Sequence, residues 1–326
     1  MKLLVVSICM NEAKTIGQVL DGIPKKIKGV DSIEKWVIDD GSTDGTSDLA
    51  RKHGAKVISD GANKKLAFRF REALELAMSR NADVLVNIDG DMQFDPKEIP
   101  LLVAPVVNDD ADFVAADRFT DPILKTSRRP NNMPVGKFYG NKLGAWVVGK
   151  LSGEYFRDVT CGFRAYNKKA IISLNINSTY TYTQESFQVM AMKKMRIKAI
   201  PVSIKYFPGR KSRVVKSFGQ FVFGSALNIL RAYRDYAPLR FFGSLGLLFF
   251  IPAVVLLSFS SVHYAGTGLF SPYKAVGLTG LYLLTMSLFI WALGLAADML
   301  DRMLNNQEKI LEIQKRQQYG LHNKTK

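Results

Sequence analysis

Two acidic residues separated by one glycine carry the clearest chemical signal in this sequence. Asp89, Gly90 and Asp91 directly follow the apolar run Val84–Ile88, which is typical of a short buried strand. Carboxylates this close together repel each other unless a cation lies between them. A divalent cation with oxygen ligands suits the pair, and Gln93 offers a neutral oxygen two residues further on. Taken alone, these residues are also compatible with a plain polar turn, since Asp-Gly is a common turn dipeptide.

The segments that must position these acids alternate between strand and helix patterns. This alternation predicts an α/β domain with a mostly parallel sheet. In such a sheet the carboxyl ends of the strands share one edge, and ligands bind there. Strand-like runs end before four acids, which we therefore expect at that edge: Glu12, Asp40, Asp89 and Asp91. The predicted strands are 2–8, 36–38, 57–58, 84–88 and 200–206, and the predicted helices are 15–23, 47–53, 66–80 and one that begins near Tyr182.

Size and charge narrow the class of protein. The chain has 326 residues, a net charge of +16 and a sequence pI of about 9.7. This length allows about two domains, and the charge favours anionic partners such as phosphorylated molecules, nucleic acid or an acidic membrane face. Cys9 and Cys161 are the two cysteines, so no disulfide framework is indicated. The first residues lack a signal-peptide pattern, and we expect the catalytic part to stay in the cytosol.

Two long charge-free runs dominate the second half of the chain. No charged residue occurs over 241–273 or over 275–297, which predicts two membrane spans near 241–259 and 275–297. A pair of buried core helices is the alternative. Basic flanks over 205–240 and 302–326 place both termini in the cytosol and the connecting loop outside. Before the first of these runs, apolar residues recur at helical spacing over 217–234. This pattern predicts an interfacial amphipathic helix, or else a helix packed on the soluble domain.

Several common enzyme classes are excluded by missing motifs. No G-x-G-x-x-G follows the first strand and no G-x-x-x-x-G-K-[ST] occurs, which argues against a dinucleotide oxidoreductase and a P-loop NTPase. No H-E-x-x-H is present, and the three histidines form no cluster in the sequence. A zinc site is therefore not indicated.

A set of short motifs resembles the family 2 glycosyltransferases of the GT-A fold. Within that family the chain is similar to polyprenyl-phosphate glycosyltransferases, the dolichol-phosphate mannose synthase group. The string Asp39–Thr46 together with the later Asp-x-Asp forms the most specific part of the resemblance, which covers residues 1 to about 215. The other matching residues are Asn11-Glu12, Gln93, Asp117-Arg118, Asp158, Gly162-Phe163-Arg164, Gln184-Glu185, Pro201-Val202 and Lys211-Ser212-Arg213.

The resemblance implies roles for individual residues. Asp89, Asp91 and Gln93 would hold Mg²⁺ or Mn²⁺ against the nucleotide diphosphate, and Arg118 would meet phosphate as a third catalytic residue. The implied nucleotide-binding residues are Ile8, Met10, Glu12, Ile38, Asp40, Gly90, Arg210 and Arg213. The implied acceptor-binding residues are Lys137, Asn141, Asp158, Arg164 and Glu185. For Asp158, a purely structural ion pair with Arg164 is an equally good interpretation.

The chain departs from the family pattern at four of these positions. Ile8 and Met10 stand where the family usually has proline and tyrosine, which leaves UDP and GDP both open as the nucleotide. Lys137 and Asn141 stand where an arginine and a serine usually hold the acceptor phosphate, and lysine lacks the bidentate fork of arginine. Lys125, Arg128 and Arg129 add cations nearby, or form a solvated loop.

The resemblance implies an inverting enzyme that moves a sugar from a nucleotide sugar to a membrane polyprenyl phosphate, undecaprenyl or dolichyl. The expected layout is a GT-A domain over 1–215, the amphipathic helix over 216–238, two transmembrane helices over 239–300 and a cytosolic tail helix over 301–326. We expect the lipid bilayer as a partner, no nucleic acid, and homo-oligomerisation as a family feature. The alternatives are a processive polysaccharide synthase, whose Gln-x-x-Arg-Trp motif is absent, and a catalytically silent membrane scaffold.

Overall fold

The computed structural model describes most of the chain. The described residues are 1–177, 181–207, 226–227, 230–231, 233–235 and 237–321, without the side chain of Leu151. Arg210, Arg213 and most of the predicted amphipathic helix over 217–234 lie outside these residues. The chain divides into two compact units, Met1–Ile229 with Glu312–Lys326, and Leu230–Leu311.

The first unit is built around a mixed, mostly parallel sheet. In the described residues it has seven strands in the order β3-β2-β1-β4-β6-β5-β7. Neighbouring strands of this sheet pair in parallel, except that β6 runs antiparallel to its neighbours β4 and β5. The strands are β1 Lys2–Cys9, β2 Ser32–Asp39, β3 Lys56–Ser59, β4 Val84–Asn87, β5 Phe113–Asp117, β6 Arg164–Asn167 and β7 Ile197–Pro201.

Helices cover this sheet and connect its strands. They are α1 Ile16–Gly22, α2 Thr46–Lys52, α3 Leu66–Ser79, α4 Ile99–Val107, α5 Val135–Ser152, α6 Lys168–Ser173 and α7 Thr183–Met192. The apolar run Leu3–Val6 in β1 is almost completely buried, as expected for a central strand covered on both faces. The strand and helix predictions for the first 90 residues are confirmed to within a few residues at most ends.

The predicted strand over 200–206 is wrong in its bounds. The strand β7 ends at Pro201, after which the backbone N–H of Val202 donates to the carbonyl of Asp117 at 3.1 Å. The chain then leaves β5, because Ile204 forms an isolated antiparallel bridge with Phe94 in the loop after β4. This crossing carries Tyr206 toward the acids that follow β4.

The second unit contains two long helices, α8 Pro238–Thr267 and α9 Lys274–Gln318, of which α9 extends beyond the unit at Glu312. Both are long and apolar enough to cross a membrane, and only 17% of the most apolar stretch of each is buried, unlike a helix in a soluble core. Glycines let the two helices approach closely. A Cβ on Gly246 would meet the Trp291 ring, and the Ser287 hydroxyl donates to the Gly246 carbonyl at 3.0 Å.

Candidate active site at the carboxyl edge of the sheet

The loops after β1 and β2 are fastened to each other by hydrogen bonds. These strands are in parallel register, with Cys9 opposite Asp39, so their loops begin side by side. The backbone N–H of Asn11 donates to the Ser42 hydroxyl at 2.8 Å, and the N–H of Glu12 donates to the Thr46 hydroxyl at 2.8 Å. The Asp39–Thr46 string therefore holds the backbone of Asn11 and Glu12 in place.

Asp40 is buried and its carboxylate is already held by the protein. Its Oδ1 accepts from the backbone N–H of Lys64 at 2.7 Å and from Nε of Arg69 at 2.9 Å. Arg69 is fully buried and also contacts Asp60 and Glu72, which keeps it charged by raising its pKa above the ordinary value. Sequence patterns do not predict this role, because Arg69 looks like one of several charged residues on an amphipathic helix.

The other predicted nucleoside residues surround Asp40. Ile8 is half-buried, whereas its register partner Ile38 is fully buried and lies beneath the surface of the site. The side-chain nitrogen of Asn63 lies 2.9 Å from the Met10 sulfur. Met10 therefore lies at the edge formed by β1 and the loop before α3, on the same side as Asp40.

The paired acids after β4 lie against the loop after β1. The Thr15 hydroxyl donates to the Gly90 carbonyl at 2.8 Å and to the Glu12 carboxylate at 3.2 Å, so it joins the two loops. Burial, and then the charge of Asp91, raise the pKa of Asp89 to about 7. Gly90 is required sterically, since a Cβ there would overlap the Cys9 sulfur. Gly162 faces the other side of the pair, where a Cβ would come 3.0 Å from Asp89 Oδ1.

This donor set fits a hard divalent cation. Two carboxylates destabilise each other's charge, and Gln93 follows them in the same turn, where its backbone N–H donates to Asp91 Oδ1 at 3.0 Å. The described residues contain no group of three His, Cys, Asp or Glu side chains that could enclose a metal by themselves. An ion here would take its remaining oxygen ligands from a substrate, as Mg²⁺ commonly does with phosphates.

Arg118 and Asp158 form a buried ion pair beside the acids. Nε of Arg118 donates to Asp158 Oδ2 at 2.6 Å and Nη2 donates to Oδ1 at 2.7 Å, a bidentate geometry. Nη2 also donates to the Thr160 hydroxyl at 2.6 Å, and Nη1 donates to the Tyr206 hydroxyl at 3.3 Å. The suggested partnership of Asp158 with Arg164 is therefore wrong, because Arg118 takes that carboxylate.

Lys137 approaches this pair from α5. Its ammonium lies 5.2 Å from the centre of the Tyr206 ring, within range of a cation–π contact. Desolvation, and then the neighbouring Arg118 charge, lower the pKa of Lys137, while Asp158 and Asp91 act in the opposite direction. Asn141, one turn later, is buried, and its amide nitrogen has no hydrogen-bond partner in the described structure. Lys137 thus lies near Arg118 and Asp158, with Tyr206 as an additional member of this cluster, and the acceptor role of Lys137 and Asn141 stays a prediction.

Two predicted acceptor residues are engaged in holding loops. Arg164 is fully buried and donates to the carbonyls of Cys161, Val159 and Thr183. Glu185 Oε1 accepts from the backbone N–H of Asn177 at 2.8 Å. These bonds give Arg164 and Glu185 positioning roles, and a direct contact with an acceptor stays a prediction for both.

The basic loop before α5 is partly paired. Arg128 forms an ion pair with Asp121 at 3.0 Å, and its backbone N–H donates to the Phe119 carbonyl. Arg129 and Lys125 lie on the same loop, and Lys125 is exposed. The structure thus supports a folded loop next to α5 without assigning these cations to a phosphate.

Comparison of the sequence with known proteins finds similar enzymes. The model of the family described as Glycosyl transferase family 2 matches residues 4–174. A UDP-N-acetylglucosamine–dolichyl-phosphate N-acetylglucosaminyltransferase from Methanococcus voltae is 26% identical over 216 residues, covering 60% of this chain and 82% of its own. An undecaprenyl-phosphate mannosyltransferase from Micrococcus luteus is 25% identical over 252 residues, covering 71% and 93%.

A solved structure shows the same fold. Glucosyl-3-phosphoglycerate synthase from Mycobacterium tuberculosis, in complex with Mn²⁺, UDP-glucose and phosphoglyceric acid, superposes with a TM-score of 0.55 at 19% identity. The match covers 71% of this chain and 79% of that one. The sheet order and this likeness confirm the GT-A prediction for the first unit, followed by two long apolar helices.

Proposed function

Because the chain belongs to glycosyl transferase family 2, we propose that it transfers a hexose from a nucleoside diphosphate sugar to a polyprenyl phosphate. The products are a polyprenyl-phosphate-linked monosaccharide and a nucleoside diphosphate. The names of the relatives from M. voltae and M. luteus support a dolichyl or undecaprenyl carrier. UDP sugars are the first donors to test, since UDP occurs in the names of one relative and one structural neighbour.

One arrangement carries this proposal: cations stand directly beside the paired acids. Tyr206 contacts both Arg118 and Lys137, and the backbone N–H of Lys205 donates to the Gln93 carbonyl at 2.9 Å, which brings these cations close to the acids after β4. A phosphate nucleophile and a diphosphate leaving group are both anions and repel each other. Cations placed where the two meet reduce that repulsion, most strongly in a site of low dielectric.

The reaction needs no general base. A phosphate monoester is already ionised near neutral pH, so one of its oxygens attacks the anomeric carbon directly. The bond between that carbon and the diphosphate oxygen breaks, and its electron pair leaves with the nucleoside diphosphate. Attack from the face opposite the leaving group inverts the anomeric configuration. Lys137 orients the attacking phosphate, and Arg118, fixed by Asp158, holds Tyr206 against Lys137.

The donor end is held by the first three strands. Asp40, whose orientation is fixed by Arg69, accepts a hydrogen bond from the base, and Glu12 and Met10 lie at the same edge. Mg²⁺ or Mn²⁺, bound by Asp89, Asp91 and Gln93, would neutralise the charge that develops on the leaving diphosphate. We expect the anomeric carbon to lie between these acids and Lys137.

The two apolar helices suit a lipid acceptor. We propose that α8 and α9 cross the cell membrane, with the first unit and both termini in the cytosol. A polyprenyl phosphate keeps its tail in the bilayer, and an enzyme tethered to the same membrane meets it at a high effective concentration.

The test uses the full chain in nanodiscs with radiolabelled UDP-glucose, UDP-N-acetylglucosamine and GDP-mannose. Each donor is offered with undecaprenyl or dolichyl phosphate and Mn²⁺, and we expect one donor to pass label into the lipid phase. Asp91→Asn should reduce transfer about 100-fold or more. Asp95→Asn, which removes only an acid that caps the turn at Lys97, is the matched control. Equal transfer by Asp91→Asn and wild type, or label in no lipid, would overturn the proposal.

A further inference from the structure

The helix α5 exposes an apolar stripe on a face that nothing in the described structure covers. Its residues recur at helical spacing, and each exposes more than half of its surface: Val135 54%, Tyr139 64%, Leu143 62% and Trp146 62%. The opposite side of the same helix is buried through Phe138, Asn141, Ala145 and Val148. Single exposed apolar residues are common on soluble proteins, whereas a continuous stripe marks an interaction surface.

The loop before α5 extends this surface. Ile123 and Leu124 lie at its tip and are 87% and 72% exposed. The Lys142 ammonium donates to the Ser127 hydroxyl at 3.0 Å, and Ser127 forms a bridge with Thr120, so the loop is attached to the middle of α5. We call the stripe and the loop tip together the α5 face.

The charge of the α5 face points to an anionic surface. Lys142 and Lys150 lie beside the stripe, and α5 contains no acidic residue; its third lysine, Lys137, lies on another side of the helix. Trp and Tyr beside lysines are typical of helices that lie in the headgroup region of a membrane, where the rings enter the interface and the ammonium groups meet phosphates. A protein partner of the same shape would need an unusually acidic and apolar surface.

We propose that the α5 face docks on the anionic headgroup layer of a lipid bilayer. At 100° per residue, Lys137 lies roughly 160° around the helix from the middle of the stripe, so docking leaves this cation directed elsewhere. The docking therefore needs neither the sugar donor nor the acceptor. A negative result in the docking experiment would leave the proposed reaction standing, and a negative transfer assay would leave the docking proposal standing.

The buried native cysteines make a clean depth measurement feasible. Cys9 and Cys161 are both buried, and burial raises the pKa of Cys161 to about 12, so neither thiol reacts readily with a maleimide. Leu143→Cys therefore carries a single nitroxide label on the stripe. Leu101→Cys, 51% exposed on α4, is the matched control on the same unit.

The labelled full-length protein is placed in nanodiscs that contain phosphatidylglycerol. Relaxation of each label by oxygen, which concentrates in lipid, is compared with relaxation by a water-soluble nickel chelate. We expect oxygen to dominate at position 143 and the nickel chelate to dominate at position 101. A label at 143 that behaves like the one at 101 would overturn the proposal. A label shielded from both reagents and broadened by a second label would overturn it in favour of a second copy of the chain.

Charge reversal tests the anionic part of the proposal. Lys142→Glu with Lys150→Glu should bring the label at position 143 to the nickel accessibility of the label at 101. Lys169→Glu, an exposed lysine on α6, should leave the label buried in lipid. An unchanged depth after reversal of Lys142 and Lys150 would contradict an electrostatic docking.

Discussion

Arg69 is a fully buried guanidinium that contacts three carboxylates, Asp40, Asp60 and Glu72. Only Asp40 among these is expected to touch a substrate. The other two keep the guanidinium in place, so the orientation of the base-binding carboxylate depends on a residue outside the recognised motifs. A buried ion network of this kind is sensitive to removal of one member, because the remaining charges lose their partner.

Replacing Arg69 by lysine should therefore weaken donor binding. Lysine keeps one charge but cannot reach three carboxylates with a planar fork. We expect the KM for the nucleotide sugar to rise about tenfold or more, equivalent to about 1.4 kcal/mol, with the KM for the lipid unchanged. Arg71→Lys, which loses a bond to the Ile176 carbonyl, is the control. An equal rise in both KM values would mean that Arg69 merely supports the fold.

Lys137 gives a pH dependence whose sign follows from its surroundings. Desolvation and the Arg118 charge lower its pKa below the ordinary 10.5, so it loses its proton earlier than other lysines as pH rises. Only the charged form attracts a phosphate. The KM for the polyprenyl phosphate should therefore rise between neutral pH and about pH 10 in the wild type.

Lys137→Arg should keep a low acceptor KM across that range, since a guanidinium stays charged. Lys137→Gln should show a raised acceptor KM at every pH. Kinetics at saturating donor measure both variants, and superimposable pH profiles for wild type and Lys137→Arg would rule out the lysine as the titrating group.

Among individual residues, those fixed by local sequence were predicted well and those fixed by distant contacts were not. Glu12, Asp40, Asp89 and Asp91 follow strands that end at one edge, so their meeting could be predicted. The partner of Arg118 could not, because Asp158 lies 40 residues away and no local pattern distinguishes it from other acids as a partner.

Two glycines shape the element that holds the paired acids. The turn after β4 fits between the Cys9 sulfur on one side, facing Gly90, and the loop before β6 on the other, where Gly162 faces Asp89. Both close approaches are to side-chain atoms, the buried Cys9 sulfur and the Asp89 carboxylate.

Gly162→Ala should impair transfer more than it impairs folding. Its methyl group would press on the Asp89 carboxylate at about 3.0 Å and displace a predicted metal ligand. We expect weaker Mn²⁺ activation and a change of unfolding temperature of only a few degrees. Gly144→Ala on α5 has open space around it and should be neutral or slightly stabilising. Unaltered Mn²⁺ activation of Gly162→Ala would contradict the role of Asp89.

Sequence patterns predict some elements of this fold and miss those that depend on contacts between distant segments. The parallel strands β1, β2 and β4 each contain an apolar run, from which the sequence pattern predicts a strand. The four-residue β6 has no such run, and its antiparallel insertion between β4 and β5 depends on Arg164 and Asn87, whose amide donates to the Gly162 carbonyl at 2.9 Å. Tyr206 reaches the site only through the bridge of Ile204 with Phe94, a contact between segments far apart in sequence.

At the scale of the whole molecule, the charge asymmetry around the apolar helices predicts one orientation. The segment between α8 and α9 contains no charged residue, whereas basic residues precede α8 and follow the apolar part of α9. We expect Leu269→Cys, which is exposed in that segment, to react with an impermeant maleimide in intact cells.

Leu101→Cys should react only after the membrane is opened. Because the native thiols are buried, the unmodified protein supplies the background in both cases. Labelling of position 101 from outside would reverse the proposed orientation, and labelling of both positions in intact cells would exclude a membrane-spanning pair.

The first unit is discontinuous in sequence: it contains Met1–Ile229 and also Glu312–Lys326, which follow the second unit. There Glu312 lies 3.4 Å from the Lys193 ammonium, and Lys315 donates to the Asn175 side chain at 2.7 Å and to the Ile172 carbonyl. A fragment that ends before α8 would therefore lack the contacts that Glu312 and Lys315 make at the ends of α6 and α7. Splicing residue 229 to residue 312 through a glycine-serine tether would retain them, and is the better route to a detergent-free catalyst.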